Sequence, residues 1–360
     1  MRIAQIAPLA EPVPPDRYGG TERVIALLAD ELVRRGHEVT LFASGDSATD
    51  ADLVKASKRS LRGDPGVTDP IAWHIRELGM VFRETDEFDV IHSHVDYLAF
   101  PVARLSAAPT IHTLHGRLDL PHLRAVFAEF QDLPLVSISD AQREPLRDLE
   151  LNWAGTVHHG LPVDDYPFAA RGGDYLAFCG RTSPEKGLDL AIQIAQRAAL
   201  PLKVMAKVDP SDQEYFDREI RPLLDHEQVE FLGEVDETRK LELLAGARAL
   251  VFPIRWPEPF GLVMIEAMAT GTPVITRPFG AVPEVVKDGE TGFIADTVEE
   301  LAAAVARIDS LDRRACRRHV EQRFSVARMA EDYETLYARL SRPAEGADAS
   351  REAPLEPGPR

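Results

Sequence analysis

The sequence predicts an α/β protein with two similar halves, each a parallel β-sheet covered by helices. Short apolar runs typical of buried strands alternate along the chain with segments whose apolar residues recur at helical spacing. This alternation is interrupted at residues 161–174, a segment rich in Pro, Gly and Asp, and then begins again. A length of 360 residues also favours two domains over one.

The first half opens with a buried strand at 2–9 and a helix over 21–35, which Gly36 ends. Residues 44–70 are polar and predict a loop, and a further helix is predicted at 71–86. The other strands of this half are predicted at 37–43, 89–94, 109–113, 134–138 and 155–158. Strands that alternate with helices in this way indicate a parallel sheet.

The second half repeats the pattern, with a strand at 175–180 and a helix at 186–199. Further strands are predicted at 202–206, 229–232, 248–252 and 272–276, and closing helices near 297–308, 312–322 and 325–340. The predicted units are therefore a first domain at 1–165, a second domain at 174–322, a last helix within 323–340 and a tail at 341–360. The tail carries four prolines and one large aliphatic residue, Leu355, so we expect it to be disordered.

Composition limits the function classes. A net charge of −18 argues against broad nucleic-acid binding, and no apolar run has the length of a membrane span. The two cysteines, Cys179 and Cys316, provide no disulfide framework, so the cytoplasm is the expected compartment. An arginine cluster near the end predicts a salt-bridged helix surface, with contact to an anionic membrane or a partner as the alternative. Its members are Arg307, Arg313, Arg314, Arg317, Arg318, Arg323 and Arg328.

Two carboxylates, Glu258 and Glu266, stand eight positions apart in an otherwise apolar stretch. Pro259 suits a first helical position, and residues 261–270 read as a short apolar helix. Glu266 has apolar neighbours in that helix, where a buried carboxylate needs a partner, and a ligand hydroxyl is one candidate. The alternative is a core helix with an ordinary solvent-facing glutamate.

Two places in the second half could bind an anion. The backbone N–H groups of Phe260, Gly261 and Leu262 would lie at the positive end of the short helix. Arg181 ends a predicted strand, and Lys186 would lie in the first turn of the next helix, where the dipole disfavours a cation. Both cations make sense there if they share an anion such as a diphosphate. The alternative is an exposed arginine and lysine, each paired with a carboxylate.

In the first half, Gly19 and Gly20 precede a helix and would let the backbone approach a phosphate, although a plain turn fits equally well. Four histidines, His92, His94, His112 and His115, fall at strand ends that share one edge of a parallel sheet. No supporting spacing of other ligands accompanies them, so a histidine lining a ligand cleft is favoured over a metal site.

These motifs resemble, in order and spacing, the retaining glycosyltransferases of the GT-B fold, and more narrowly the family-four group. The resemblance rests on the R-x4-K pair, the E-x7-E pair and the closing run GAVPEVVKDGETGF at 280–293. The first half agrees through YGGTERV, DVIHSH and TLHG, so roughly residues 1–340 are covered. The resemblance implies two Rossmann-like domains facing a central cleft, with the C-terminal helix crossing back to the N-terminal domain.

The resemblance also implies roles for the second-half residues. Arg181 and Lys186 would neutralise the diphosphate of a nucleotide-sugar donor. Glu266 would accept hydrogen bonds from the ribose, and Glu258 would hold hydroxyls of the transferred sugar. The N–H groups of Phe260, Gly261 and Leu262 would contact sugar and phosphate, and the base would lie near residues 233–235.

In the first half, the resemblance implies that Gly19 and Gly20 close over the phosphates. His115, within TLHG, matches the family's histidine beside the sugar, whereas His112 matches no fixed position. The donor would carry UDP or GDP by preference. The acceptor, which could be a sugar, a lipid or a small molecule, stays undetermined.

Members with this pattern transfer the sugar with retention of configuration, without a metal or cofactor. The alternatives are a related GT-B enzyme, namely an epimerase or a phosphorylase, and a non-catalytic nucleotide-sugar-binding protein. No nucleic-acid partner is expected. The expected location is the cytoplasm, with peripheral contact at the inner face of a membrane as an alternative.

Overall fold

The computed structural model describes residues 1–341 and contains two parallel β-sheets. The first sheet is built from β1 (Arg2–Ile6), β2 (Glu38–Ser44), β3 (Asp52–Ser57), β4 (Val90–Ser93), β5 (Thr110–Thr113), β6 (Leu135–Ser137) and β7 (Trp153–Thr156). Their order across the sheet is β3-β2-β1-β4-β5-β6-β7, and each adjacent pair is parallel.

The second sheet consists of β8 (Leu176–Arg181), β9 (Leu202–Lys207), β10 (Val229–Gly233), β11 (Ala249–Phe252), β12 (Val274–Thr276) and β13 (Gly292–Ile294). Its order is β10-β9-β8-β11-β12-β13, again with parallel neighbours. The predicted fold class, two Rossmann-like parallel-sheet domains, is therefore confirmed.

Helices cover both sheets. In the first half they are α1 (Gly20–Arg34), α2 (Pro70–Arg83), α3 (Phe100–Leu105) and α4 (Leu123–Glu129). The second half contributes α5 (Leu188–Ala198), α6 (Gln213–Tyr215), α7 (Arg221–Leu224), α8 (Glu237–Gly246), α9 (Leu262–Ala269), α10 (Val282–Val285), α11 (Val298–Arg307), α12 (Arg313–Arg323) and α13 (Val326–Leu340). A π-helical turn, Phe216–Ile220, joins α6 to α7.

The strand order reverses at the centre of each sheet. From β1 the chain first builds outward to β2 and β3 and then returns to place β4 on the other side. The second sheet makes the same reversal between β8 and β11. A crevice forms at the carboxyl ends of the strands at such a point, and ligands of α/β proteins bind there. Both crevices open toward the cleft between the two domains.

The last helix returns to the first domain, as predicted. The buried side chains of α13 belong to the hydrophobic core around α1 and β1. The phenol of Tyr337 binds inside the first sheet, where Gln5 donates to it over 3.1 Å. The C-terminal segment thus becomes part of the N-terminal core.

A second junction lies between the domains near Glu284 on α10. Its carboxylate accepts the N–H groups of Asp140 (2.9 Å) and Ala141 (2.7 Å) and contacts His158 Nε2 at 2.9 Å. A carboxylate that accepts several N–H groups holds them by charge-assisted hydrogen bonds. This junction fixes the second domain against the start of a turn in the first.

The predicted loop at 44–70 is wrong in part, because it contains β3. This strand lies at the sheet edge, and its first four residues are exposed or half-buried. An edge strand of this kind keeps polar residues such as Asp52 and Lys55, so it lacks the apolar run that identified the central strands. The predicted tail, beyond residue 341, lies outside the described residues.

The arginine cluster is less of a salt-bridged surface than predicted. Arg313 is buried and donates to the carbonyls of Ala169, Ala245 and Ala247. Arg317 likewise donates to two carbonyls, in addition to its ion pair with Glu321. These two arginines therefore stabilise the backbone that leads into the second domain. Among residues 1–341, no helix is both long and apolar enough to cross a membrane.

Candidate active site

A cleft of about 570 Å³ lies between the carboxyl ends of the two sheets. Every site residue predicted from the sequence contributes to its wall. These residues are Gly19, Gly20, His115, Arg181, Lys186, Glu258, Phe260, Gly261, Leu262 and Glu266. The fold therefore brings together residues that are separated by up to 247 positions in the sequence.

The two carboxylates are buried, and each is paired with a lysine. Glu258, 8% exposed, accepts from Lys186 Nζ at 2.5 Å and from Trp256 Nε1 at 2.8 Å through the same oxygen, Oε2. Glu266, 4% exposed, accepts from Lys240 Nζ at 2.8 Å through Oε1. The solvent-facing alternative for Glu266 is therefore wrong. The pairing explains how two carboxylates are tolerated at the cleft wall without a ligand.

The helix that contains Glu266 begins one residue later than the predicted Gly261. Leu262 is its first residue, and Gly261 is its N-cap at φ 82°. Pro259 is therefore not the first helical residue. The positive φ favours glycine here, and a Cβ at this position would also lie 2.7 Å from Met264 Cε, which would have to shift. The first N–H groups of a helix have no intrahelical acceptor, which leaves those of Gly261 and Leu262 available to an anion in the cleft.

Lys186 lies before its helix rather than within it. It ends the 3-10 turn Pro184–Lys186, and Gly187 at φ 71° separates it from α5. A Cβ on Gly187 would lie 2.4 Å from the carbonyl oxygen of Pro253, which keeps the turn close to β11. The predicted unfavourable position in the first turn of a helix is therefore wrong, while the placement of Lys186 in the cleft is as expected.

Arg181 ends β8 and is also paired with carboxylates. Its guanidinium contacts Glu185 at 2.9 Å and Asp212 at 3.6 Å. Arg181 and Lys186 are thus each paired with a carboxylate, as the alternative interpretation states. Both cations nevertheless line the cleft and are mostly buried, with side chains 26% and 13% exposed for Arg181 and Lys186. An anion in the cleft can reach both without moving the backbone.

Sequence reasoning missed several cleft residues of the second half. Lys207 ends β9 at the same sheet edge as Arg181, a position that strand-end placement could have identified. Lys240 lies on α8, where no motif distinguishes it from the other charged residues of that helix. Trp256 was passed over although it is two residues from Glu258, to which its indole N–H donates.

His115 lies in the first-domain wall of the cleft. Its Nε2 is 2.8 Å from His94 Nδ1, and its ring stacks on His159 with centroids 5.5 Å apart. Burial lowers the pKa of His115 to about 3, so the ring is neutral. Its backbone N–H donates to Asp96 over 3.3 Å, and burial raises the pKa of that carboxyl to about 6. Asp96, a residue the sequence did not single out, has φ 47°.

The other three histidines are buried in the first domain. His92 contacts Tyr337 and Thr113 at 2.7 Å each, and His94 contacts Gln5 Oε1 at 2.7 Å. Burial lowers the pKa of His92 and His94 well below the ordinary value. Within residues 1–341, no cluster of three or more His, Cys, Asp or Glu side chains could hold a metal ion.

Gly19 and Gly20 bring α1 to the opposite wall. Gly19 caps α1 at φ 154°, and a Cβ there would lie 2.7 Å from Pro15 Cβ. A Cβ on Gly20 would lie 3.2 Å from Leu262 Cδ1, across the cleft. The missing side chains thus permit the start of α1 to approach the start of α9.

Comparisons with known proteins agree with this geometry. The family model described as Glycosyl transferases group 1 matches residues 168–323, and the Glycosyltransferase Family 4 model matches residues 18–158. A glycogen synthase of Mycobacterium tuberculosis is 28% identical over 351 residues, which cover 82% of this chain and 83% of that protein. The chain belongs to the group 1 glycosyltransferases of the GT-B type.

Solved structures show the same fold. AviGT4, a glycosyltransferase involved in avilamycin A biosynthesis, has a TM-score of 0.68 at 25% identity, over 95% of this glycosyltransferase and 98% of that chain. The Anabaena protein HepE has a TM-score of 0.72 at 18% identity, over 94% of this chain and 99% of that one. Each family model matches the part of this glycosyltransferase that contains one sheet. The Glycosyltransferase Family 4 model ends just after β7, and the Glycosyl transferases group 1 model begins just before β8.

Proposed function

We propose that this glycosyltransferase moves a sugar from a nucleotide-diphosphate sugar to an acceptor, with retention of configuration and without a metal ion. One observation carries the proposal: two buried carboxylates, Glu258 just before α9 and Glu266 within it, each hold a lysine at the wall of the cleft. Both carboxylates line the same cleft at separate points, so one can bind the sugar and the other the ribose of such a donor.

In the proposed complex, the ribose binds Glu266 and the transferred sugar binds Glu258. The diphosphate then lies between them, where Arg181, Lys186 and the N–H groups at the start of α9 can reach it. A diphosphate repels a carboxylate, which is why Glu258 suits the uncharged sugar rather than the phosphates. Gly19 and Gly20 approach the phosphates from the first domain, and the base lies against residues 233–235.

The reaction then needs little beyond fixed charge. The bond between the anomeric carbon and the phosphate oxygen breaks, and the acceptor oxygen bonds to the same face of that carbon. The acceptor's proton passes to the departing phosphate oxygen. Arg181 and Lys186 stabilise the charge that develops on the diphosphate, an electrostatic contribution that commonly dominates catalysis. No protein nucleophile is required, so the two glutamates do not act as a hydrolase pair.

His115 is proposed to lie beside the transferred sugar. Burial lowers its pKa and keeps the ring neutral, while the contact with His94 and the stacking on His159 fix its position, so it can bind a hydroxyl without adding charge near the anomeric carbon. Closure of the two domains would exclude water from the cleft and favour transfer to the acceptor over hydrolysis.

The comparisons support a nucleotide sugar as the donor. The HepE structure is a complex with UDP and glucose, so a nucleotide and a sugar bind that related fold. UDP is therefore the first donor nucleotide to test here, followed by GDP. The acceptor and the sugar are not assigned.

Product analysis tests the proposal. Purified protein is incubated with UDP- and GDP-sugars and a panel of sugar and lipid acceptors, in EDTA, and the new anomeric bond is analysed by NMR. We expect the configuration to be retained and the rate of transfer not to be reduced by EDTA. Inversion, or activity only with an added divalent cation, contradicts it. Epimerised donor without transfer would favour the epimerase alternative, and binding without any reaction would favour the non-catalytic one.

A further inference from the structure

Lys240 joins Glu266 to the opposite domain through a row of alternating charges. Its ammonium lies 2.8 Å from Glu266 Oε1 and 2.9 Å from Glu237 Oε2. Arg23 Nη2 of α1 lies 2.9 Å from the same Glu237 oxygen. We call these four residues, Glu266, Lys240, Glu237 and Arg23, the cross-cleft charge chain.

We propose that Lys240 is a positioning residue that holds Glu266 for the donor's ribose, and that the cross-cleft charge chain couples ribose binding to domain closure. This inference rests on the proposed function, because it assumes that Glu266 receives the ribose. It adds a residue and a connection between the domains that the R-x4-K and E-x7-E pairs do not contain.

The side chains of the cross-cleft charge chain are largely shielded from solvent, which strengthens their ion pairs. The side chains of Glu266 and Lys240 are 5% and 14% exposed, so their attraction is only weakly screened by solvent. Burial alone would lower the pKa of Lys240, but Glu266 and Glu237 raise it, so the lysine is charged. Removing one partner of such a pair leaves an uncompensated buried charge.

Lys240 differs in this respect from Lys186. Its ammonium is already shared between two carboxylates, so it has little charge left for a diphosphate. The contact with Glu266 uses Oε1, which leaves Oε2 for the ribose hydroxyls. Lys240 therefore fixes the orientation of the carboxylate rather than binding the donor itself.

At its other end, the cross-cleft charge chain reaches the loop before α1, which is proposed to cover the phosphates. Arg23 lies in the first turn of α1, three residues after Gly20, and also donates to the carbonyl of Arg17 over 3.1 Å. The N–H of Tyr18, in the same loop, donates to Glu234 of the second domain over 3.3 Å. A change at Glu266 can thus reach Gly19 and Gly20 through three successive ion pairs.

The test compares nucleotides with and without the ribose hydroxyls. Wild type and Lys240→Met are titrated with UDP and 2′,3′-dideoxy-UDP, and in parallel with GDP and its dideoxy analogue, by calorimetry. Lys240→Met should weaken binding of the preferred ribonucleotide about tenfold or more, the loss typical of one buried charged contact. Binding of the dideoxy analogue should change less than about twofold, because it makes no use of Glu266.

Matched variants separate this role from a general loss of structure. Arg239→Met removes the neighbouring cation, which is exposed and paired with Glu242, and should leave both affinities unchanged. Lys240→Arg retains the charge and should recover most of the ribonucleotide affinity. If Lys240→Met does not fold, Glu237→Gln carries the test, with an expected loss of about threefold for the ribonucleotide alone.

Coupling across the cleft is tested by a double-mutant cycle with Arg23→Met. Members of one ion-pair network give effects that do not add, so the double variant should bind the ribonucleotide more tightly than the sum of the two losses predicts. Additive losses would overturn the coupling.

Equal weakening of ribonucleotide and dideoxy analogue by Lys240→Met, or no weakening, would overturn the positioning role. Absence of nucleotide binding by the wild type would instead contradict the proposed function, so the two failures are distinguishable.

Discussion

The second-domain wall of the cleft holds its side chains by charge, whereas the histidine part of the first-domain wall, around His115, is held by neutral hydrogen bonds. On one side, Lys186 pairs with Glu258 and Lys240 pairs with Glu266. On the other side, His115 contacts His94, which in turn contacts Gln5. Both walls are buried to a similar degree, so the difference is one of chemistry rather than of exposure.

The difference fits the two tasks that the proposed reaction sets. A diphosphate brings several negative charges, and a wall of buried, fixed cations can stabilise them in the transition state without reorganisation. The acceptor and the sugar hydroxyls bring no charge, and a neutral histidine can contact them without competing for the diphosphate. Variants that change the charge of one wall should therefore affect the reaction in a different way from variants of the other.

The largest effect is expected for Lys186→Ala, which removes the cation closest to Glu258. Transfer, measured as kcat/KM with the preferred donor, should fall about 10³-fold, at the upper end of what one electrostatic group contributes. The thermal unfolding midpoint should fall as well, because Glu258 loses its buried partner, so kcat/KM is measured at a temperature at which the variant is folded. Lys287→Ala, at an exposed lysine paired with Glu290, is the matched control and should retain full activity. Equal activity of both variants would contradict the charged-wall account.

Glu258→Gln should lower kcat about 10²-fold while the KM for the donor changes less, since this carboxylate is proposed to contact the transferred sugar. The substitution preserves shape and removes the charge that holds Lys186 and Trp256. Steady-state kinetics at saturating donor measure it, with Glu290→Gln as an exposed control. A loss confined to KM would place Glu258 at a distance from the reacting carbon.

A histidine in the interior of the first domain, His112, predicts a sensitivity to acid. Burial lowers the pKa of His112 to about 3, so the unfolded chain binds a proton between about pH 6.5 and 3 that the folded protein does not. Stability should therefore fall as pH decreases through this window, by about 2 kcal/mol between pH 7 and pH 5 for this histidine alone.

Urea unfolding of wild type and His112→Leu at both pH values measures how much His112 contributes to the pH dependence of the unfolding free energy. The difference in unfolding free energy between pH 7 and pH 5 should be smaller in the variant by that amount. His226→Leu, at an exposed histidine, should leave the difference unchanged. The same pH dependence in His112→Leu and wild type would show that His112 is not held neutral.

The smallest effect tests how closely the two walls approach. Gly20→Ala adds a Cβ 3.2 Å from Leu262 Cδ1, so the Leu262 side chain, at the start of α9, must move by a few tenths of an ångström. We expect kcat/KM to fall about threefold to fivefold, because misplacement of reacting groups is costly even when small. Gly79→Ala, with no atom within 4 Å of the added Cβ, is the control. Unchanged activity in Gly20→Ala would mean that the walls have more room than this contact indicates.

The charged wall was easier to predict than the neutral one. Arg181, Lys186, Glu258 and Glu266 occur at fixed spacings within short segments, so a pattern could identify them. The partners of His115 are His94, which follows β4, and His159, which follows β7, and no local pattern joins them. Their contacts depend on the order of strands in the sheet, which the sequence does not display directly.

Two helix starts were predicted incorrectly and the cleft residue Lys240 was missed, for different reasons. The glycines at 187 and 261 take positive φ and precede α5 and α9, whereas the predicted helices began at Lys186 and at Gly261 itself. Lys240 was missed because its importance arises from Glu237 and Arg23, which approach it only in the folded protein.

The measurement that tests the central claim most directly is thermal stabilisation by a panel of UDP-, GDP-, ADP- and dTDP-sugars in EDTA, for wild type and Glu266→Ala. A donor at about 100 times its Kd should stabilise the wild type by roughly 2.7 kcal/mol. The account predicts stabilisation by one nucleotide family and its loss in Glu266→Ala. Equal stabilisation of both proteins, or stabilisation of the wild type only after a divalent cation is added, would contradict it.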